Sequence, residues 1–133
     1  MPQLTHEQAQ NAVDAALAKA REFEKFVTVV VVDRAGDISA VGRMDRAPGI
    51  WFDIAYGLAY TCTIWGGTKG AQLAPVKDEN WFRAASIMRG GRMMVADGSL
   101  PLVQDRTLIG AIGVAGATDE EDLAIAEAGV AAL

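Results

Sequence analysis

The run "FVTVVVVD", Phe26 to Asp33, constrains the fold more than any other stretch of the chain. Between its two ends every residue is β-branched, a class whose stiff χ1 suits a pleated sheet. Nearly all of it is apolar, as in a central strand buried on both faces. "DRAGD" follows, with Gly36 available for a positive φ, and then "ISAVGRM" resumes a strand pattern. Residues 26–33 and 37–43 are therefore expected to pair as a hairpin.

Helices are expected on either side of it. "THEQ", Thr5 to Gln8, is a capping box. Val13, Ala16, Leu17 and Ala20 behind it form the apolar stripe of an amphipathic helix. Pro48 and Gly49 precede a second helix over about 50–65. Its Trp51, Ile54, Ala55, Leu58, Cys62 and Trp65 fall on one face, and Asp53, Tyr56, Gly57 and Tyr60 largely on the other. "GGTKG" ends it. A shorter helix capped by Asp78 is expected to run to Met88, with Trp81, Ala84, Ala85 and Met88 as its stripe. Strands are expected near 92–96, 100–104 and 107–114. Thr118 and Glu121 then form a second capping box opening a helix with Leu123, Ala126, Val130 and Leu133 on one face. The order is α-β-β-α-(α)-β-β-β-α, an α+β chain with a largely antiparallel five-stranded sheet and helices packed on it.

With 133 residues the chain makes one domain. Apolar residues are 51% of it and charged ones 22%, enough apolar excess to expect a homo-oligomer in which partner subunits cover part of the surface. A net charge of -5 and scattered Lys and Arg argue against nucleic acid as a partner. Cys62 is the single cysteine, which rules out an internal disulfide and any cysteine-cluster metal site. The longest apolar run is too short to span a bilayer, and "MPQLTHEQAQ" lacks the pattern of a signal peptide. No membrane partner and a cytoplasmic location are expected.

Four features bear on chemistry. "LIGAIGVAGATDEE" spaces Gly110, Gly113 and Gly116 every third residue, unlike the dinucleotide fingerprint, and no G-K-[ST] follows. Gly113 is where two readings part: its bare backbone either approaches a ligand or lets a helix lie on the strand. The acids at Asp119 to Asp122 would repel an anion at the next helix start, which favours the packing joint. "RMDRAP" puts Arg43, Asp45 and Arg46 just after a strand, either as a surface ion-pair cluster or as a site. In the second reading Arg43 clamps a carboxylate and Asp45 serves as acid, base or orienting group. Trp51, Tyr56, Tyr60 and Trp65 concentrate aromatics on one helix, as core, subunit interface or the wall of a pocket for a flat ligand. His6, at a helix start, is expected in solvent without a metal, and Cys62 as a small buried hydrophobe.

Taken in chain order, "LTHEQAQNAVDAALAKA", "VVVVDRAGDISAVGRMDRAP", "IAYGLAYT", "GSLPLVQDRTLIGAIGVAG" and "LIGAIGVAGATDEEDLAIAEAG" resemble the successive segments of the GlcG/HbpS family, also called the haem-degrading domain family. The similarity spans nearly the whole chain. It implies a profilin-like three-layer α/β/α fold, a homo-oligomer, and a small-molecule ligand, with haem as the candidate cofactor. The chain departs from the family pattern at Leu58, usually lysine, at Ser99, usually glycine, at Arg106, usually glycine, and at Ala115, usually serine. Loss of a cation at Leu58 removes a partner for a carboxylate ligand such as a haem propionate. Two functions are therefore expected to compete. One is a small-molecule-binding oligomer in which Arg43, Trp51, Tyr56 and Gly113 meet the ligand. The other is a cofactor-independent lyase, isomerase or hydrolase in which Arg43 holds a small acid while Asp45 or Tyr60 moves a proton.

Overall fold

The β-branched run becomes β1, Thr28–Asp33, in the interior of a four-stranded sheet; the computed structural model describes all residues from Met1 to Leu133. β2 (Ile38–Arg43) and β4 (Thr107–Ala115) flank β1, and β3 (Ser99–Gln104) lies outside β4. Every pairing is antiparallel. Thr28 stands opposite Arg43 and Ala115, and Val30 opposite Val41 and Gly113.

Helices cover both faces. α1 (His6–Glu22) and α4 (Asp119–Ala131) lie on one, against Val29, Val31, Ile112 and Val114. α2 (Ile50–Ile64) lies on the other, against Val30, Val32, Ala111 and Ala115. Both capping boxes form: Thr5 Oγ1 accepts from the Gln8 N–H at 3.1 Å, and Thr118 Oγ1 from the Glu121 N–H at 3.2 Å. A short 3-10 helix at Gly70–Val76 leads to α3 (Asn80–Met88).

The sheet has four strands where five were expected. Residues 92–96 join no ladder because they cross the outer side of α2 instead. The Met94 N–H donates to Thr61 Oγ1 at 2.8 Å, and the Arg92 carbonyl lies 2.9 Å from where a β-carbon on Gly57 would stand. α2 is consequently buried on its outward side as well, at Gly57, Tyr60 and Thr61. Two stripes also differ from expectation. α3 buries Phe82 alone, leaving Trp81 52% and Met88 79% exposed, and its N-cap is Glu79 in place of Asp78. α4 buries Asp122, Ile125, Ala126 and Gly129; of the expected stripe Ala126 is buried and Val130 packs on the core, while Leu123 is only partly covered and Leu133 is exposed. Small residues set that face, since a β-carbon on Gly129 would stand 3.0 Å from the Ala12 carbonyl oxygen of α1.

Candidate functional site

Arg43 closes β2, and its guanidinium donates from Nη1 to the Ala47 carbonyl at 2.9 Å. The Met44 N–H donates to the Val27 carbonyl at 3.0 Å, and the Val27 N–H donates back to Met44 Sδ at 3.4 Å. The "RMDRAP" loop is thus tied to the sheet, with Asp45 and Arg46 exposed. Leu17, Arg21, Phe26, Arg43, Met44 and Asp45 line a cleft of about 380 Å³ there.

A second cluster forms on α2. Phe52, Tyr56 and Tyr60 follow at i, i+4 and i+8, so their rings line up along one side of the helix, tilted or edge-on to one another. Their centroids are 5.9 Å and 6.2 Å apart. Tyr60, expected to face outward, is only 5% exposed. It is covered because the Arg92 guanidinium lies 5.5 Å from the Tyr56 centroid and 5.7 Å from that of Tyr60, while Arg89 Nη1 donates to Tyr60 Oη at 3.3 Å. Neither arginine has a carboxylate partner: the three ion pairs of the chain employ Lys19, Lys25 and Arg83. A guanidinium over an aromatic face with no counter-ion of its own has donors left to meet a carboxylate.

The two clusters do not meet. Tyr60 packs beside Gly36, in the turn joining β1 to β2, whereas Arg43 and Asp45 lie at the opposite end of β2. Five residue steps of strand, Ile38 to Arg43, separate those ends, roughly 16 Å. Asp45 and Tyr60 therefore do not form one acid–base pair. Trp51 packs half-buried against the core under α2. Gly113 takes the packing side of its two readings, because a β-carbon there would collide with the Ala55 carbonyl oxygen and stand 2.8 Å from the Ala59 nitrogen. The helix seated on it is α2 and not the α4 that follows it in sequence. Arg89 and Arg92 escaped the sequence reading. Their signal was "MRGGRMM", two cations around a glycine pair, which served only to end a helix.

The larger cavity, about 650 Å³, is lined by Met1–Leu4, Asp33–Ala35 and Thr107–Ile109. Its charged side chains are already engaged. Asp33 Oδ1 accepts from the N–H groups of Ala35 and Asp37 at 2.9 Å and 3.1 Å, and Arg34 Nη1 donates to the Thr63 carbonyl at 3.0 Å. The α2 ladder, with unpaired guanidinium groups, is better suited to hold a charged ligand.

Burial pushes the Cys62 thiol up to about 11, so it stays protonated and, as expected, behaves as a small core residue. His6 is exposed at the start of α1, and no group of three or more His, Cys, Asp or Glu side chains converges on a common point. Burial also pushes Asp122 up to about 7, with Asp119 and Glu121 raising it further and the Ala117 N–H, donating at 3.1 Å, opposing the shift. No helix is long and apolar enough to cross a membrane.

Comparison with known proteins gives a consistent result. Residues 4–131 match the family described as "Haem degrading protein HbpS-like". A 15.0 kDa Citrobacter freundii protein encoded in the dhaT-dhaS intergenic region is 32% identical over 120 residues, covering 90% of this chain and 84% of that protein. The crystal structure of Klebsiella pneumoniae ORFY superposes with a TM-score of 0.88 at 26% identity, over 99% of this chain and 92% of that one. The crystal structure of a PduOC:heme complex gives 0.87 at 25% identity, over 99% and 96%.

Proposed function

Because the chain belongs to the HbpS-like haem degrading family, we propose that it binds a flat, carboxylate-bearing small molecule on the α2 ladder, with haem as the leading candidate. The observation that carries this reading is the pair of guanidinium groups, Arg89 and Arg92, placed on Tyr60 and Tyr56 without carboxylate partners. The similarity to a protein solved with haem supports it.

The residues present suit the shape and charge of haem. Phe52 offers a ring face, and Arg89 and Arg92 offer donors for two propionates. Tyr56, half-buried, would be the residue to hold the iron, through its phenol oxygen, since His6 is remote from the ladder in sequence and the protonated Cys62 is a poor ligand. Haem, when bound, supplies redox chemistry at its iron. What this chain's residues do is hold the acid groups and cover one face of the ring. Trp51 supports α2 from the core, and Arg43 with Asp45 belongs to the separate cleft.

Titration of the protein with haemin tests the reading. A saturable Soret shift is expected, and Arg92→Ala should weaken it about tenfold through loss of one charge-assisted contact. A flat titration would remove haem as the ligand. Self-association is proposed as well, supported by the exposed Trp81, Ile87 and Met88 of α3. Light scattering at micromolar concentration is expected to give a multiple of the 14.0 kDa chain mass.

A further inference from the structure

The cleft at the end of β2 lies apart from the ladder and carries chemistry of its own. Four residues other than glycine have positive φ. Glu24 lies just past the end of α1, where its N–H donates to the Arg21 carbonyl, and Asp105 with Arg106 turns the hairpin between β3 and β4. Arg46, at φ 71°, is the fourth. The Ala47 N–H donates to the Met44 carbonyl at 3.1 Å, closing a β-turn that puts Arg46 in its third position. Positive φ in that position suits glycine, and any β-carbon there adds strain. The chain has arginine instead, and the result is a guanidinium 5.3 Å from the centroid of the Phe26 ring.

That ring is itself part of the cleft. Phe26, 42% exposed, forms its apolar floor with Leu17 and Met44. Arg21 and Arg43 stand in its wall. None of Arg21, Arg43 and Arg46 has a carboxylate partner, whereas nearby Lys25 is occupied by Glu121 at 3.6 Å. Asp45 is the one acid lining the cleft. The volume, about 380 Å³, matches a small organic molecule.

We propose that this cleft is a second binding site, for a small monocarboxylate with an apolar aliphatic or aryl body. The carboxylate meets Arg21 and the free N–H groups of Arg43. The apolar body lies on Leu17, Met44 and Phe26, whose ring Arg46 holds in place. Beyond Arg21 and Arg43 the lining is apolar apart from Asp45, so a second carboxylate gains no partner among the lining side chains and dicarboxylates gain nothing over monocarboxylates.

Calorimetric titration of the full chain with hexanoate, benzoate, adipate, inorganic phosphate and hexylammonium tests this. Hexanoate and benzoate are expected to bind saturably, adipate no more tightly than hexanoate, phosphate more weakly, and hexylammonium not at all. Arg21→Ala, an exposed change that leaves the melting temperature unaltered, should weaken hexanoate about tenfold. Arg46→Gly should raise the melting temperature while weakening hexanoate, a combination that a purely structural turn would not give. Arg92→Ala, which acts at the ladder, should leave hexanoate affinity unchanged. The proposal is overturned by absence of saturable hexanoate and benzoate binding, or by affinity indifferent to both Arg21→Ala and Arg46→Gly. Phosphate or hexylammonium binding as tightly as hexanoate, or loss of hexanoate in Arg92→Ala, overturns it equally.

Discussion

The two faces of the sheet are packed by different means. On the α1 and α4 face, Val29, Val31, Ile112, Val114 and Leu102 interdigitate with Ala9, Val13, Ala16 and Ile125. Side chains fill that space as in any close-packed core. On the α2 face β4 offers only Ala111, Gly113 and Ala115, and α2 answers with Ala55, Ala59 and Cys62. Helix backbone therefore rests on strand backbone at Gly113. Residues 92–96 press on α2 from the other side at Gly57 and Thr61. One face can adjust by rotating side chains. The other has no side chain to rotate where α2 meets Gly113, and it is the one that fixes where Tyr56 and Tyr60 point.

Substitution should expose the contrast. Gly113→Val places atoms into the Ala55 carbonyl, which has no rotamer to move, so the cost should exceed about 4 kcal/mol, beyond ordinary overpacking. Ile112→Ala on the opposite face leaves a cavity its neighbours can partly fill, and should cost about 3 kcal/mol. Urea denaturation of both variants measures the pair. If Gly113→Val proved the milder, the claim of backbone contact under α2 would fail.

Leu58 sharpens the comparison at the edge of the α2 face. It is 1% exposed, which makes it core, and it lies beside Asp122: a β-carbon on Gly98 would be 3.0 Å from Leu58 Cδ1 and 3.7 Å from Asp122 Cβ. An ammonium introduced by Leu58→Lys would find that carboxylate, so the cost should be about 2 kcal/mol, below that of an unpaired buried charge. Adding Asp122→Asn should make the lysine variant distinctly worse, by about 1 kcal/mol or more. Asp122 also predicts a pH dependence in the parent. Its folded pKa, about 7, lies above the ordinary 3.8, so the folded state binds more protons between those values. Stability from this group is present in full below about pH 4 and declines as pH rises toward 7. Asp122→Asn should flatten that decline, and thermal melts from pH 4 to 8 will register it.

Legibility followed the range of the interactions. Local signals were readable: the β-branched run gave β1, and Thr5 with Gln8 and Thr118 with Glu121 gave the starts of α1 and α4. The packing of Gly113 was readable in kind, though the helix upon it comes from far back in the chain. What escaped depended on contacts distant in sequence. Residues 92–96 carry a strand-like composition, but Met94 spends its N–H on Thr61. Phe82 is buried in a stack against Trp65, centroids 5.8 Å apart, while Trp81, tilted against the same ring at 6.2 Å, stays exposed, and no periodicity announces either. Of the candidate site, Tyr56 and Tyr60 were visible, while Arg89 and Arg92 reach them only through the return of the chain past a glycine pair. The separation of Asp45 from Tyr60 is a matter of register, which the sequence does not print.

The smallest effect concerns the helices that hold the adjustable face. α1 and α4 begin with the same reciprocal cap, so Thr5→Ala and Thr118→Ala should each cost about 1 kcal/mol by leaving one first-turn N–H unpaired. They should differ in their response to salt. The Thr118 cap opens onto Asp119, Glu120, Glu121 and Asp122, four acids in one turn, and Glu121 is held below the usual carboxylate range first by its bond from the Thr118 N–H. Glu121 also faces Lys25 at 3.6 Å, whereas the first turn of α1 has only Glu7. Charge near a helix N-terminus is screened by salt, so the cost of Thr118→Ala should change with ionic strength while that of Thr5→Ala stays level. Equal salt dependence in the two would mean that the acids of α4 do not contribute to its start, and that both caps act through the hydroxyl alone.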